Sequence, residues 1–202
     1  LASDRVRFIG ERVAAVAAGS KAIAEDALEL IEVDYEVLPA VFDLTEAMKP
    51  GAPALHPNLA SYQNHKDLPG TPNTHEYTVR ARGDLEAGFA AADRIFEHTV
   101  YPQTHHQGHL EPHAALVQIA DDGTVHVWET IKNPLVGRKQ LSDLTGLPVS
   151  KFVFHIMHIG ADFGGKGSMW DSAVLYYLPR RTGRPVKAVM TYTEELIAGN
   201  PL

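Results

Sequence analysis

The stretch with the most evident chemistry is Gly160-Ala161-Asp162-Phe163-Gly164-Gly165-Lys166-Gly167. Glycines let a backbone approach a ligand without a side chain in the way, and N–H groups that open a helix can hold an anion. Three readings of the turn compete. It is a tight connection with no ligand, a phosphate loop, or a cradle of amides for another anionic group. The pattern G-x-x-x-x-G-K fits 160–166, but position 167 is Gly where a phosphate loop needs a hydroxyl for magnesium, and Ser168 comes one residue late. Nor does the apolar run Val186 to Tyr192 end in an acidic residue that would hold the metal's water shell.

A second group is His105, His106, His109 and His113 around Gln107-Gly108. On a helix, 105, 109 and 113 would share a face and could bind zinc. Gly108 and Pro112 argue against a helix, so the expectation is a polar strand or loop of hydrogen-bonded imidazoles with no metal. Glu111 beside them reads as a structural carboxylate, and Asp34 and Glu36, alternating with apolar residues, read as water-facing.

The elements that must position these groups follow from periodicity and breakers. Val6 and Phe8, then Val13 to Ala18, read as two strands joined at Gly10. Ser20 caps a helix with Ile23, Ala27, Leu30 and Ile31 on one face. Val33, Tyr35 and Val37 make a half-exposed strand closed by Pro39. From Pro50 through Pro69 to Pro72 the period breaks into a linker. Asp84 caps a short helix with Leu85 and Phe89, and Ile95 to Tyr101 reads as a strand. Asp121-Asp122-Gly123 between Ala114–Ile119 and Thr124–Thr130 signals a hairpin. Leu135 to Thr145 is helical, stopped by Gly146. Phe152 to Ile159 reads as a strand buried on both faces, followed after the glycine turn by a helix from about Ser168 to Thr182. Its stripe of Trp170, Tyr177 and intervening aliphatics reads as core packing. A strand from Val186 to Tyr192 follows, and Glu194-Glu195 open a solvated helix. Strands and helices mix without strict alternation, so the fold class is α+β.

Composition narrows the classes. The 202 residues are 45% apolar, enough for a packed core, and the formal charge is −7 with no Lys/Arg run longer than two. That balance offers no footprint for nucleic acid. No apolar run is long enough for a membrane-spanning helix. The first residues lead straight into a strand-like pattern, so no signal peptide is expected, and the missing initiator Met suggests a processed or excised chain. There is no Cys, which removes disulfides, a thiol nucleophile and Cys-ligated zinc or iron–sulfur clusters from this chain. Cytoplasmic residence is expected, with the periplasm as the alternative.

With these residues in view, the turn resembles the GGxFGGK segment of the molybdenum hydroxylases, the xanthine dehydrogenase and aldehyde oxidase family. Other segments agree in order and spacing: Phe8 to Val16, Ala24 to Val41, Gly83 to Asp93, Leu110-Glu111-Pro112-His113-Ala114-Ala115, and Gly183-Arg184-Pro185-Val186-Lys187. The resemblance implies that residues 1–48 are the end of an α/β-hammerhead domain and 49–80 a linker. Residues 81–202 would be the first part of a molybdopterin-binding domain with a mixed sheet and flanking helices. It implies a molybdenum–molybdopterin cofactor and oxidation of an aldehyde or N-heterocycle with water-derived oxygen. Its partners would be iron–sulfur and FAD domains or subunits and the C-terminal half of the subunit. It places Phe163, Gly164, Gly165 and Lys132 at the cofactor and no catalytic residue in this chain, so the chain alone is expected to be inactive and cofactor-free. Lys132 stands where the family usually has Gln, and Gly167 where many relatives have a substrate-contacting Glu. These departures also suit a non-catalytic relative serving as a binding or assembly module.

Overall fold

The protein is described by a computed structural model for residues 1–62, 65–66 and 70–199; Pro69 of the expected linker lies outside them. In chain order the helices and strands are α1 Lys21–Leu28, α2 Leu44–Ala47, α3 Leu85–Ala90, β1 Ala114–Ile119, β2 Val125–Glu129, α4 Pro134–Thr145, β3 Phe152–His155, α5 Ser172–Thr182, β4 Val186–Val189 and α6 Tyr192–Ala198. They fall into two compact units. One joins Leu1–Glu32 to Pro102–Leu202, and the other is Val33–Tyr101. None of the described helices is long and apolar enough to cross a membrane.

The first unit is organised by a four-stranded sheet in the order β3-β2-β1-β4. β1 runs antiparallel to β2 and β4, whereas β2 and β3 are parallel and connected through α4. The Asp121-Asp122-Gly123 turn forms as expected: the Asp122 carboxylate accepts the Thr124 N–H at 2.8 Å, and Gly123 takes φ +78°, which its missing side chain permits. The Asn133 side chain caps α4, Pro134 stands in its first turn, and Gly146 ends it in the left-handed conformation. Gly183 ends α5 the same way. Alternation along β1 and β2 sends Ala115, Val117, Val125 and Val127 to one face, where they pack with Leu141 of α4, Phe152 of β3, and Leu175 and Tyr176 of α5. The α+β class is borne out.

The structure corrects several expected elements. Val6–Phe8 and Val13–Ala18 form no strands. The chain turns between Phe8 and Glu11 with Gly10 at φ +93°, and one backbone bond, Ala2 N–H to the Arg12 carbonyl, links the two arms. A strand needs a ladder of such bonds, and a single one leaves extended chain. α1 stops at Leu28, so Leu30 and Ile31 lie beyond its face. β3 ends at His155. It is an edge strand with Val153 partly exposed and Ile156 exposed, not one buried on both faces. α5 starts at Ser172, which leaves Ile156–Asp171 as a long loop, and β4 ends at Val189. The buried stripe of α5 is Ser172, Leu175, Tyr176 and Pro179; Trp170 precedes the helix and Tyr177 is half exposed. Glu195 on α6 is fully buried rather than solvated.

In the second unit, the Asp43 and Asp84 side chains cap α2 and α3. Residues 33–37 and 95–101 are exposed and do not form the expected strands. Asn73 crosses this unit, accepting the Leu55 N–H and donating to the Ala47 and Pro53 carbonyls.

The alternation that buries Val125 and Val127 also buries Glu129, whose carboxylate accepts the Trp170 N–H at 2.7 Å and so ties the end of the long loop to the sheet. Burial pushes the Glu129 carboxyl up to about 7, a rise the Trp170 N–H only partly offsets. The folded state therefore keeps a proton that the unfolded chain has already released. Stability falls as pH rises from about 4.5 to about 7, by about 3 kcal/mol from this group. His113, whose pKa is lowered by burial, pulls the opposite way in the same window, so the difference between Glu129→Gln and wild type isolates Glu129. Urea denaturation should show Glu129→Gln gaining on wild type across that window and level above it. A gap that does not change with pH would contradict the assignment. Phe152→Ala, which empties the centre of the core, should cost about 3–5 kcal/mol in the same assay.

Candidate functional site

The glycine stretch is built around Asp162. Its carboxylate accepts the N–H of Gly164 at 3.2 Å and of Lys166 at 2.6 Å, and its carbonyl accepts the N–H of Gly165 at 2.8 Å. These bonds curl the chain into a tight turn. Phe163 is carried at φ +43°, outside the usual range for a residue with a side chain, and Gly164 at φ +99°. Phe163 is 68% exposed. The N–H groups of Phe163 and Gly167 have no acceptor among the described residues, whereas those of Gly164, Gly165 and Lys166 are taken by Asp162. The arrangement thus leaves open amides beside an outward aromatic ring.

Lys132 joins this rim. Its N–H bonds the Lys166 carbonyl at 2.9 Å, and its half-exposed ammonium pairs with Asp162 at 2.8 Å. Burial would raise the Asp162 carboxyl, but the Lys132 ammonium and the two amides outweigh it and hold the group below the usual range. All four sequence-predicted residues, Phe163, Gly164, Gly165 and Lys132, therefore meet at one turn. Gly165 is buried against Gln107, where an added methyl would come 3.0 Å from the side-chain carbon Cδ. Gly167 has room: a methyl there would touch Lys132 Cε at 3.7 Å.

Lys166 points the other way. It is fully buried, and its ammonium donates to the Glu111 carbonyl at 2.8 Å and to Oε2 of Glu111 at 2.7 Å. That carboxylate also accepts the Gly160 N–H, so Glu111 has the structural role expected of it. This lysine cannot reach a phosphate at the turn, and α5 begins five residues past Gly167, too late for its N-terminus to complete a phosphate loop. The phosphate-loop reading fails on both counts.

The histidines gather differently from the helical expectation. His105 is exposed and donates from Nδ1 to the Gln103 carbonyl. His106, His109 and His113 converge instead on the buried Glu195. Oε1 of that carboxylate lies 2.9 Å from His113 Nδ1, 3.3 Å from His106 Nε2 and 3.6 Å from His109 Nε2. The His113 N–H adds a 2.6 Å bond to Oε2. His109 has neither ring nitrogen hydrogen-bonded. Burial alone would raise the Glu195 carboxyl, but its bonds from His113 hold it low, so it is ionised.

Sequence reasoning missed Asp162 and Glu195. An Asp two residues ahead of a glycine pair is an Asx-turn signal that identifies the first. The second carries a weaker signal: Thr191-x-x-Glu194 forms a capping box, which engages Glu194 at the helix start and leaves Glu195 for another face.

Residues 67–201 match the family model of the molybdopterin cofactor-binding domain, and residues 1–39 that of the aldehyde oxidase and xanthine dehydrogenase a/b hammerhead domain. A probable xanthine dehydrogenase subunit from Bacillus subtilis is 31% identical over 98% of this chain, which spans 25% of that protein. The nicotinate dehydrogenase large molybdopterin subunit of Eubacterium barkeri is 29% identical over 96% of the chain, which spans 43% of it. Among solved structures, reconstituted CO dehydrogenase from Oligotropha carboxidovorans superposes with a TM-score of 0.75 at 30% identity, over 90% of this chain and 23% of that one. The chain thus spans less than half the length of these relatives. On the strength of a cofactor-domain match over most of its length, this chain belongs to the molybdopterin-binding family of xanthine dehydrogenases and aldehyde oxidases.

Proposed function

We propose that this chain is the part of a molybdenum hydroxylase's large subunit that presents one wall of the cofactor pocket. The single observation that carries this is the turn at 162–167: open amides at Phe163 and Gly167, with Lys132 on the same rim, suit the oxygen-rich surface of a molybdenum–pterin group. Phe163, Gly164, Gly165 and Lys132 would line that group, with Asp162 setting their positions. When bound, the cofactor supplies the two-electron oxidation chemistry by which a substrate carbon gains oxygen from water.

The chain's own contribution is positional. Asp162 takes three of the turn's backbone donors, so those of Phe163 and Gly167 would be left for the cofactor. Phe163, displayed on its strained backbone, would set an apolar ring beside that group. Lys132 brings a donor and a positive charge where an amide would bring a donor and an acceptor, which favours an anionic partner. The absence of Cys from the chain fits an arrangement in which iron–sulfur and FAD groups sit on other domains or subunits. Residues 1–48 would close the hammerhead domain, 49–80 would connect, and 81–202 would open the cofactor domain. The substrate would be an aldehyde or N-heterocycle bound by segments beyond this chain.

The test is cofactor content. A longer subunit carrying this chain, purified with its partners, should hold about one molybdenum and one pterin per copy by metal analysis and pterin fluorescence, while the 202-residue chain alone should hold neither. Gly164→Ala, forced into φ +99°, should lower that content and destabilise the chain by about 1–2 kcal/mol, whereas Gly167→Ala should change stability by less than about 0.5 kcal/mol. A folded long subunit with neither molybdenum nor pterin would overturn the proposal in favour of a binding or assembly module.

A further inference from the structure

We propose that His106, His109 and Glu195 form a second site, for a divalent transition-metal ion with zinc's ligand preference, and that His113 orients its carboxylate. The distances suit ligands of one ion, and in its absence His106 Nε2 keeps a long 3.3 Å hydrogen bond to Oε1 of Glu195. Two donors held at about 2.0–2.1 Å from one tetrahedral ion lie about 3.3 Å apart. Oε1 of Glu195 lies 3.3 Å from His106 Nε2 and 3.6 Å from His109 Nε2, and one ligand atom from each of the three residues fits within a 4.8 Å span. The separation from His109 is too long for a hydrogen bond.

The second observation is His109 itself. It is 1% exposed, and neither ring nitrogen has a hydrogen-bond partner. A buried imidazole in that state is costly, and an ion at the cluster centre gives it a bond. The charges agree. Glu195 is the negative group of the cluster, and Lys166, the cation near His113, is already neutralised by Glu111. With neutral imidazoles the site carries one buried negative charge, which a divalent cation reverses and an uncharged occupant leaves uncompensated.

His113 supplies the support that metal-binding carboxylates usually have, through its N–H and Nδ1–H to Glu195. Two bonds must yield. His106 Nδ1 accepts the Gly108 N–H at 3.0 Å and its Nε2–H bonds Oε1 of Glu195 at 3.3 Å, so coordination through Nε2 moves the ring proton to Nδ1, releases that amide and replaces the contact to Glu195 with bonds to the ion. Gly108 is exposed, so water can take its place. Three protein donors leave the fourth position to water or a small anion. The ion would fasten α6 to residues 106–113, more than eighty residues earlier in the chain, and so would act as a structural clasp.

Titration of the metal-free 202-residue chain with Zn²⁺ against a chromophoric chelator, and with Co²⁺ followed by visible absorption, tests this at neutral pH. One ion should bind with Kd of about 1 μM or tighter, Co²⁺ should show an intense four-coordinate spectrum, and the melting temperature should rise with metal. His106→Ala, His109→Ala and Glu195→Gln should each weaken binding by about 100-fold or more, and His105→Ala should leave it unchanged. His106 is partly exposed, so His106→Ala decides the matter where a core variant fails to fold. Absence of stoichiometric binding by the wild-type chain, or less than about tenfold weakening in His106→Ala, overturns the site. Molybdenum content has no part in the readout, so the result stands apart from that of the cofactor assay.

Discussion

A lysine side chain with no exposed surface must be met by acceptors, because an unpaired ammonium in a protein interior costs far more than folding can supply. Lys166 meets both its acceptors on Glu111, at 2.7 and 2.8 Å. Its backbone is bonded at both ends too, since the N–H goes to Asp162 and the carbonyl receives Lys132. One residue thereby joins the histidine-rich segment, the glycine turn and the segment leaving β2. Glu111 repeats the connection by holding the Gly160 N–H at the entrance to the turn. Beyond this knot, the far end of the long loop between β3 and α5 is held by Glu129 and Gln140, which accept the Trp170 and Met169 amides, and by the pairing of Asp171 with Arg12.

The inward lysine has a consequence for chemistry. In a sequence motif of glycines and lysine, the lysine is the natural suspect for anion binding, yet here it is a structural fastener. The working surface is what the fastener leaves outside: the Phe163 ring, free backbone donors and the ammonium of Lys132. This division leaves the Lys132 side chain on the rim while other groups set the shape of the turn. The turn's bonds run through Asp162 and Lys166 backbone atoms, and any long donor at 132 can occupy the rim.

Much of this was legible from local signals. The β1–β2 turn, the ends of α4 and α5 at Gly146 and Gly183, and the caps of Ser20 and Asp84 depend on neighbours within a few residues, and the structure has each of them. The misreadings share a different physical origin. Val6–Phe8, Val33–Val37 and Ile95–Tyr101 have the composition of strands, but composition supplies no hydrogen-bonding partner, and these segments form no ladder. Phe152 to Ile159 was apolar enough for a doubly buried strand. Its place at the sheet edge, set by which strands pair, leaves half of it exposed. Glu195 and Glu129 look like surface carboxylates in sequence. Their burial is decided by a helix docking on histidines more than eighty residues away, and by the register of β2 beneath Trp170. The gathering of Phe163, Gly164, Gly165 and Lys132 came from the family motif, and the structure adds Asp162 as the reason they gather.

The buried Lys166–Glu111 pair and the Asp162 bonds together hold the turn so that some amides are spent and others offered. Residue-resolved hydrogen exchange on the chain, wild type against Lys166→Met, measures this directly. The account predicts slow exchange at Gly164, Gly165 and Lys166 and fast exchange at Phe163 and Gly167 in wild type, with the slow group released in the variant while the β1 and β2 amides stay protected. Uniform exchange across 163–167 in wild type, or unchanged protection at 164–166 after the lysine is removed, would contradict it.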